Sequence, residues 1–176
     1  MIIWYRYFSN QMAKKVVKTS SEKYLCDQML GTLAKWLRLL GFDTFYANAA
    51  ITDDELIEIA KKENRTIISR DKQLLIRGKK EKLPVIAVTN TDLDEQLKQV
   101  VRKAKIDEKT VLSRCSLCNT ILSRIEKDRI EKQVPKRVFE NNDEFWFCSH
   151  CNKIYWKGSH YEKITNKLNH IKTQLS

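Results

Sequence analysis

Four of the five cysteines stand in two Cys-x-x-Cys pairs, Cys115–Cys118 and Cys148–Cys151, with 29 residues between the pairs. Each pair can turn two sulfurs to one side of a tight knuckle. A hairpin joining the knuckles would close four thiolates around one tetrahedral Zn²⁺. The spacer is longer than the commonest ribbon spacing, so the hairpin needs a loose tip. Two redox dithiols or two disulfides are the competing readings. A redox pair usually opens a helix after a strand, which neither pair does here, and a reducing compartment does not keep structural disulfides. His150 could stand in for one ligand, but four thiolates already complete a closed site. Such a site is structural, because metal binding supplies folding energy to a module too small for a large core. Cys26 stands alone in an apolar run and reads as a packed strand residue.

A second group is acidic: Asp27, the pair Asp53-Asp54, and Asp71. Carboxylates gathered in one cleft repel one another. A divalent cation relieves that, and hard oxygen donors select Mg²⁺ or Mn²⁺. One or two such ions can activate water and stabilise the leaving oxygen of a phosphodiester. The plainer reading of the same residues is that Asp53 and Asp54 favour a helix N-terminus, while Asp27 and Asp71 satisfy loop amides.

Whether these groups meet depends on the elements that carry them. Tyr24–Cys26 reads as a short strand ending at Asp27. A helix follows over about 28–40, with Leu30, Leu33, Ala34, Leu37 and Leu40 at helical spacing and Gly41 as its stop. Thr44–Tyr46 is a second strand. Thr52 and Glu55 form a capping box for a second helix with core residues Leu56, Ile57 and Ala60. Arg65–Ser69 is a third strand, running into Arg70-Asp71, followed by a short helix with Leu74 and Leu75. Val85–Thr89 is a fourth strand, and Asp92 or Asp94 caps a helix to about Lys105. Strand–helix alternation of this kind predicts an α/β fold: a parallel sheet flanked by helices. If the strand order is 2-1-3-4, Asp27 and Asp71 become neighbours at the switch point, where such sheets bind ligands. Asp43 begins a strand at the wrong sheet edge for that cleft and reads as structural. In the cysteine module, 138–140 and Glu144–Phe147 read as antiparallel strands, with Trp146, Tyr155 and Trp156 in the ribbon core or at the domain interface, base stacking being the alternative. The last segment, 161–176, reads as an amphipathic helix with Ile164, Leu168 and Ile171 on one side. The expected organisation is a basic aromatic extension (1–22), an α/β domain (23–110), a small zinc-ribbon module (111–160) and a C-terminal helix (161–176).

The 176 residues are 42% hydrophobic and 31% charged, which excludes a wholly disordered chain. No apolar run spans a membrane, and the N-terminal segment lacks a signal-peptide core, so the cytoplasm is the default expectation. The net charge of +11 favours a polyanionic partner. The surplus is four over 1–24, two over 25–110 and five over 111–176. The ends are therefore basic and the middle nearly balanced. Lys35, Arg38, Arg70 and Lys72 are candidates to line the cleft and hold phosphates, as are Arg114, Lys136 and Arg137 in the ribbon. Solvated lysines and ion-paired arginines are the alternative. Phosphate contact needs only charge and reach, so backbone or shape recognition of RNA is expected.

Three stretches resemble a known family: Leu25-Cys-Asp27-Gln-Met-Leu-Gly31-Thr-Leu-Ala34-Lys-Trp-Leu-Arg38-Leu-Leu-Gly41-Phe-Asp43, Asp53-Asp54-Glu-Leu-Ile-Glu-Ile-Ala60, and Ile67-Ile-Ser-Arg-Asp71. Arg114-Cys-Ser-Leu-Cys118-Asn and Cys148-Ser-His-Cys151-Asn-Lys-Ile-Tyr-Trp156-Lys-Gly-Ser-His160 extend the likeness over about 24–162. The chain resembles the Mut-seven C-terminal RNase domain family, a PIN-like domain followed by a zinc ribbon. The resemblance implies a metal-dependent endoribonuclease with Asp27, Asp54 and Asp71 at its acidic positions and Asp53 as a further partner. Ser69 stands where Thr is usual and keeps the hydroxyl. A fourth acidic residue has no clear equivalent; Glu55, Asp92 and Asp94 are the candidates. That gap, with the basic ends, keeps a second expectation open: a non-catalytic protein docking on structured RNA, such as tRNA or the ribosome.

Overall fold

The computed structural model describes residues 22–104 and 106–174. The basic aromatic extension expected over 1–22 lies outside the described residues, apart from Glu22. Four short strands form one sheet: β1 (Lys23–Cys26), β2 (Asp43–Tyr46), β3 (Thr66–Ser69) and β4 (Val85–Ala87). All pairings are parallel, in the order β2-β1-β3-β4. Side chains on a strand alternate between faces, and the two cores follow that rule. Tyr24, Cys26, Ile68 and Ile86 face one core, and Leu25 and Ile67 face the other. Cys26 is thus the packed strand residue its sequence context predicts.

The first core is covered by helix α1 (Gly31–Leu39), helix α4 (Leu93–Val101) and the C-terminal helix. The second is covered by α2 (Asp53–Glu63) and α3 (Lys72–Lys80). The predicted stripe Leu30, Leu33, Ala34, Leu37 and Leu40 is buried, although its first turn is a 3-10 turn over Gln28–Leu30. The capping box of α2 is present, with the Glu55 N–H donating to Thr52 Oγ1 and the Thr52 N–H to Glu55 Oε2 at 2.8 Å. Asp92, rather than Asp94, caps α4.

Residues 113–156 form the cysteine module. Its antiparallel sheet has the order β5-β6-β7, from β5 (Ser123–Ile125), β6 (Phe145–Cys148) and β7 (Lys153–Trp156). The strand expected over 138–140 is corrected to a helix, α5 (Lys136–Asn141). Val138 and Phe139 favour a strand, but Pro135 at the N-cap has a fixed φ suited to a helix start. After the ribbon the chain returns to the α/β core as α6 (Ser159–Thr173). Ile164, Leu168 and Ile171 are buried there, each worth roughly 1.5–3 kcal/mol of apolar burial. Lys167 pairs with Asp94 of α4 and lies over the Trp36 ring of α1. Among the described residues no helix is long and apolar enough to cross a membrane.

Candidate active site and metal centre

Parallel pairing of β1 with β3 puts Asp27 and the Arg70-Asp71 turn at adjacent C-terminal strand ends. Asp27 is buried. Its Oδ1 accepts the Met29 N–H at 2.9 Å, and its Oδ2 accepts the Ser69 hydroxyl and the Arg70 N–H. The Ser69 oxygen in turn accepts the Asp71 N–H at 2.8 Å. One hydroxyl thereby ties the two acidic positions together. Asp71 is exposed and caps α3, with Oδ1 accepting from Gln73 at 2.6 Å and Leu74 at 3.3 Å. The structural reading of these aspartates as loop and cap acceptors is therefore met, and both still face the switch point.

Asp53 and Asp54 do not join them. Both sit in the first turn of α2 and pair with Arg77 of α3, Asp54 directly and Asp53 at 3.5 Å. Nothing in a short helix marks which carboxylate an arginine will meet, so Arg77 has no signal in the sequence. Among the described residues, the four ribbon cysteines alone form a group of three or more ligating side chains whose atoms converge. Two carboxylates at neighbouring strand ends still suit Mg²⁺ or Mn²⁺, since Mg²⁺ is commonly held by one or two carboxylates with water and phosphate oxygens. A three-carboxylate site does not exist among the described residues in this arrangement.

The cysteines do converge. The ligand atoms of Cys115, Cys118, Cys148 and Cys151 lie within 4.8 Å of one another, compatible with the roughly 3.8 Å sulfur spacing of a tetrahedral site with 2.3 Å Zn–S bonds. Cys115 Sγ lies 3.1 Å from the Tyr155 hydroxyl, and Trp146 and Tyr155 pack on the cluster. Burial pushes the Cys118 thiol up, but hydrogen bonding with Thr120 outweighs this and brings it down to about 6. Its bond with Cys118 pushes Cys151 the other way, up to about 12. One sulfur gives up its proton easily while its neighbours then resist, and a divalent cation removes that conflict.

The first knuckle is docked on the α/β domain. Arg38, near the end of α1, donates to the carbonyls of Thr44 (2.9 Å), Ser116 (3.3 Å) and Leu117 (2.7 Å). Asn119 accepts the Thr44 N–H of edge strand β2 at 3.0 Å and donates to Asp43 at 2.9 Å. Asp43 also pairs with Arg65 at 2.6 Å and Arg114 at 3.2 Å. Burial alone would raise the Asp43 carboxyl, but Arg65, Asn119 and Arg114 overcome that and hold it below the usual carboxylate value. Beside this joint, Gly41 adopts φ 91°, and a Cβ there would lie 2.3 Å from the Thr110 carbonyl oxygen.

The expectation that Arg38 and Arg114 hold phosphates is corrected by this joint. Both are buried, Arg38 donating to knuckle carbonyls and Arg114 to the Asn119 carbonyl and Asp43, with Arg114 Nε left without a hydrogen-bond partner among the described residues. The joint also lies at the N-terminal end of β2, whereas Asp27 and Asp71 lie at the C-terminal ends of β1 and β3. Of the remaining candidates, Lys35, Lys72, Lys136 and Arg137 are exposed and Arg70 is half-buried; Lys136 has Glu140 at 3.8 Å.

A four-stranded parallel sheet with aspartates at its switch point, joined to a four-cysteine metal module, defines an α/β domain with a zinc ribbon. A family model, the Mut7-C RNAse domain, matches residues 22–168. The chain belongs to this RNase-domain family, which implies ribonuclease-type function and RNA as substrate or partner. No curated protein and no solved structure matches it.

Proposed function

We propose that the protein is a metal-dependent endoribonuclease that hydrolyses RNA phosphodiesters beside Asp27 and Asp71. The observation that carries this reading is the β2-β1-β3-β4 order, which sets the two aspartates at adjacent strand ends with Ser69 between them. Asp27 and Asp71 are the residues that would hold Mg²⁺ or Mn²⁺. Bound there, the ion would lower the pKa of a water and neutralise charge on the phosphate.

The residues themselves divide the work. Three donors fix Asp27 in one orientation, so its carboxylate is positioned before any ligand arrives. Asp71 spends one oxygen on the α3 cap, while the other makes no hydrogen bond among the described residues. Asp54 would have to leave Arg77 to take part. An ion pair this exposed is worth about 0–1 kcal/mol, so substrate phosphates that attract Arg77 could release Asp54, with Asp53 beside it.

Asp27→Asn and Asp71→Asn should each remove RNA cleavage by rigorously purified protein. Loss of a group that supports several kcal/mol of transition-state stabilisation is on the order of a hundredfold or more in rate. Cleavage at the wild-type rate by either variant would sink the mechanism. RNA binding with no metal-stimulated cleavage by the wild type would leave a binding protein on this fold.

A further inference from the structure

The ribbon's docking leaves open which surface holds the strand that the cleft would cut. We propose that the exposed face of helix α3 is that surface, and that it takes the sugar-phosphate backbone of single-stranded RNA. The proposal rests on the ribonuclease reading only for its placement beside the cleft; the surface itself is argued from charge and geometry.

Residues 70–82 carry six basic residues against two acidic ones, in a domain whose charge is otherwise nearly balanced. Helical periodicity sets Lys72, Ile76 and Lys79 on one face, with Lys80 beside them, and all four are exposed. Lys82 follows the helix and is also exposed. Among the described residues none of these lysines is in an ion pair, in contrast to Arg77. These lysine charges are therefore outside ion pairs along a helix of nine residues, roughly 13 Å at 1.5 Å per residue, although Asp54, Glu58 and Glu81 line a depression shared with Lys80.

The direction of this stripe matters as much as its charge. Helix α3 begins at Asp71, so Lys72 stands at the candidate cleft while Lys79 and Lys80 lie at the far end. The helix packs on β3 and β4, and Gly78 permits that close approach: a Cβ there would come within 2.9 Å of Val85 Cγ1. The zinc knuckle sits on β2, at the other edge of the sheet. The ribbon and α3 thus flank opposite edges, and only α3 starts at an aspartate of the site. Ile76, 47% exposed between the lysines, adds an apolar contact for a sugar or an unstacked base.

The test is a binding titration separated from cleavage. Fluorescein-labelled oligouridylate is titrated with Asp27→Asn protein across a range of KCl. The same titration follows with Lys72→Gln, Lys79→Gln, Lys80→Gln and Lys82→Gln combined in that background, and separately with Lys136→Gln and Arg137→Gln. These are surface side chains, and an unchanged melting temperature verifies folding. The logarithm of affinity against the logarithm of salt should flatten by roughly 0.7 for each phosphate that is no longer neutralised. Neutralising all four lysines therefore flattens it by roughly 2 to 3, while the ribbon pair leaves the slope in place. An α3 variant that binds with the slope of the Asp27→Asn parent overturns the proposal, as does a slope that falls only with the ribbon pair. Oligouridylate binding too weak to measure in the Asp27→Asn parent also overturns it. If binding follows α3 but the wild type cuts no RNA, the surface stands and the ribonuclease reading falls. If the four α3 substitutions, made without Asp27→Asn, leave cutting at an unchanged KM, the reading stands and the surface falls.

Discussion

Asp43 shows how one side chain can matter without touching the cleft. It accepts from Arg65 and Asn119 and pairs with Arg114, so removing its charge leaves the buried Arg114 guanidinium without a carboxylate partner among the described residues and Arg65 with Glu63 alone. Breaking such a pair from one side costs roughly 3 kcal/mol, and Asp43→Asn should lose stability of that size in urea unfolding. The pH dependence has a definite sign. A carboxyl held below its unfolded value, near 3.9, stabilises the fold above that pH, and the contribution disappears as pH falls through the lower folded value. Asp43→Asn should therefore flatten the acid limb of the stability profile below about pH 4. Thiolate protonation also releases zinc on acidification, so the two proteins are compared at equal zinc. In the sequence, Asp43 is legible as structural because it opens a strand at the sheet edge. Its partners are not legible there, because they come from positions 65, 114 and 119.

At the scale of elements, the local patterns are legible and the joints are not. The alternation of β1 to α4 follows from apolar spacing and from caps such as Thr52 with Glu55, and these signals are complete within a few residues. The conditional 2-1-3-4 order is the observed one, which is why Asp27 and Asp71 can be paired from sequence. The contact between Arg38 and the knuckle is different. It spans 78 residues and uses a backbone carbonyl as acceptor, so no residue type at a recognisable spacing announces it. The same joint would make a zinc ion on the four cysteines more than a local matter for the ribbon. Arg38 and Asn119 keep their partners only while the Cys115–Cys118 turn holds its shape. Chelation should destabilise the α/β domain itself, read as faster amide hydrogen exchange in β1 and β3. Exchange there that ignores zinc would show the joint to be passive.

For the whole molecule, the cysteine module is an excursion from one core rather than an appendage to it. The chain leaves the α/β domain after α4, builds the ribbon, and re-enters as α6, whose apolar face closes the first core. Leu168→Ala should cost about 2–5 kcal/mol, measured as loss of stability of the entire domain, and should not behave as a frayed terminus. The amphipathic face of α6 is visible in the spacing of Ile164, Leu168 and Ile171. What it packs against is not, since that depends on a return path through some fifty intervening residues.

That return path would give a zinc ion held by the four cysteines a kinetic role. The last layer of the core comes from beyond the ribbon, and it can dock only after the ends of the 102–158 segment come together. Closing a loop costs entropy that grows with its length. A metal joining Cys115 to Cys151 shortcuts most of that segment and lowers the closure cost by about 1 kcal/mol. Zinc should therefore speed the final docking step of refolding by several-fold, placing the ribbon among the determinants of how quickly the α/β core is completed.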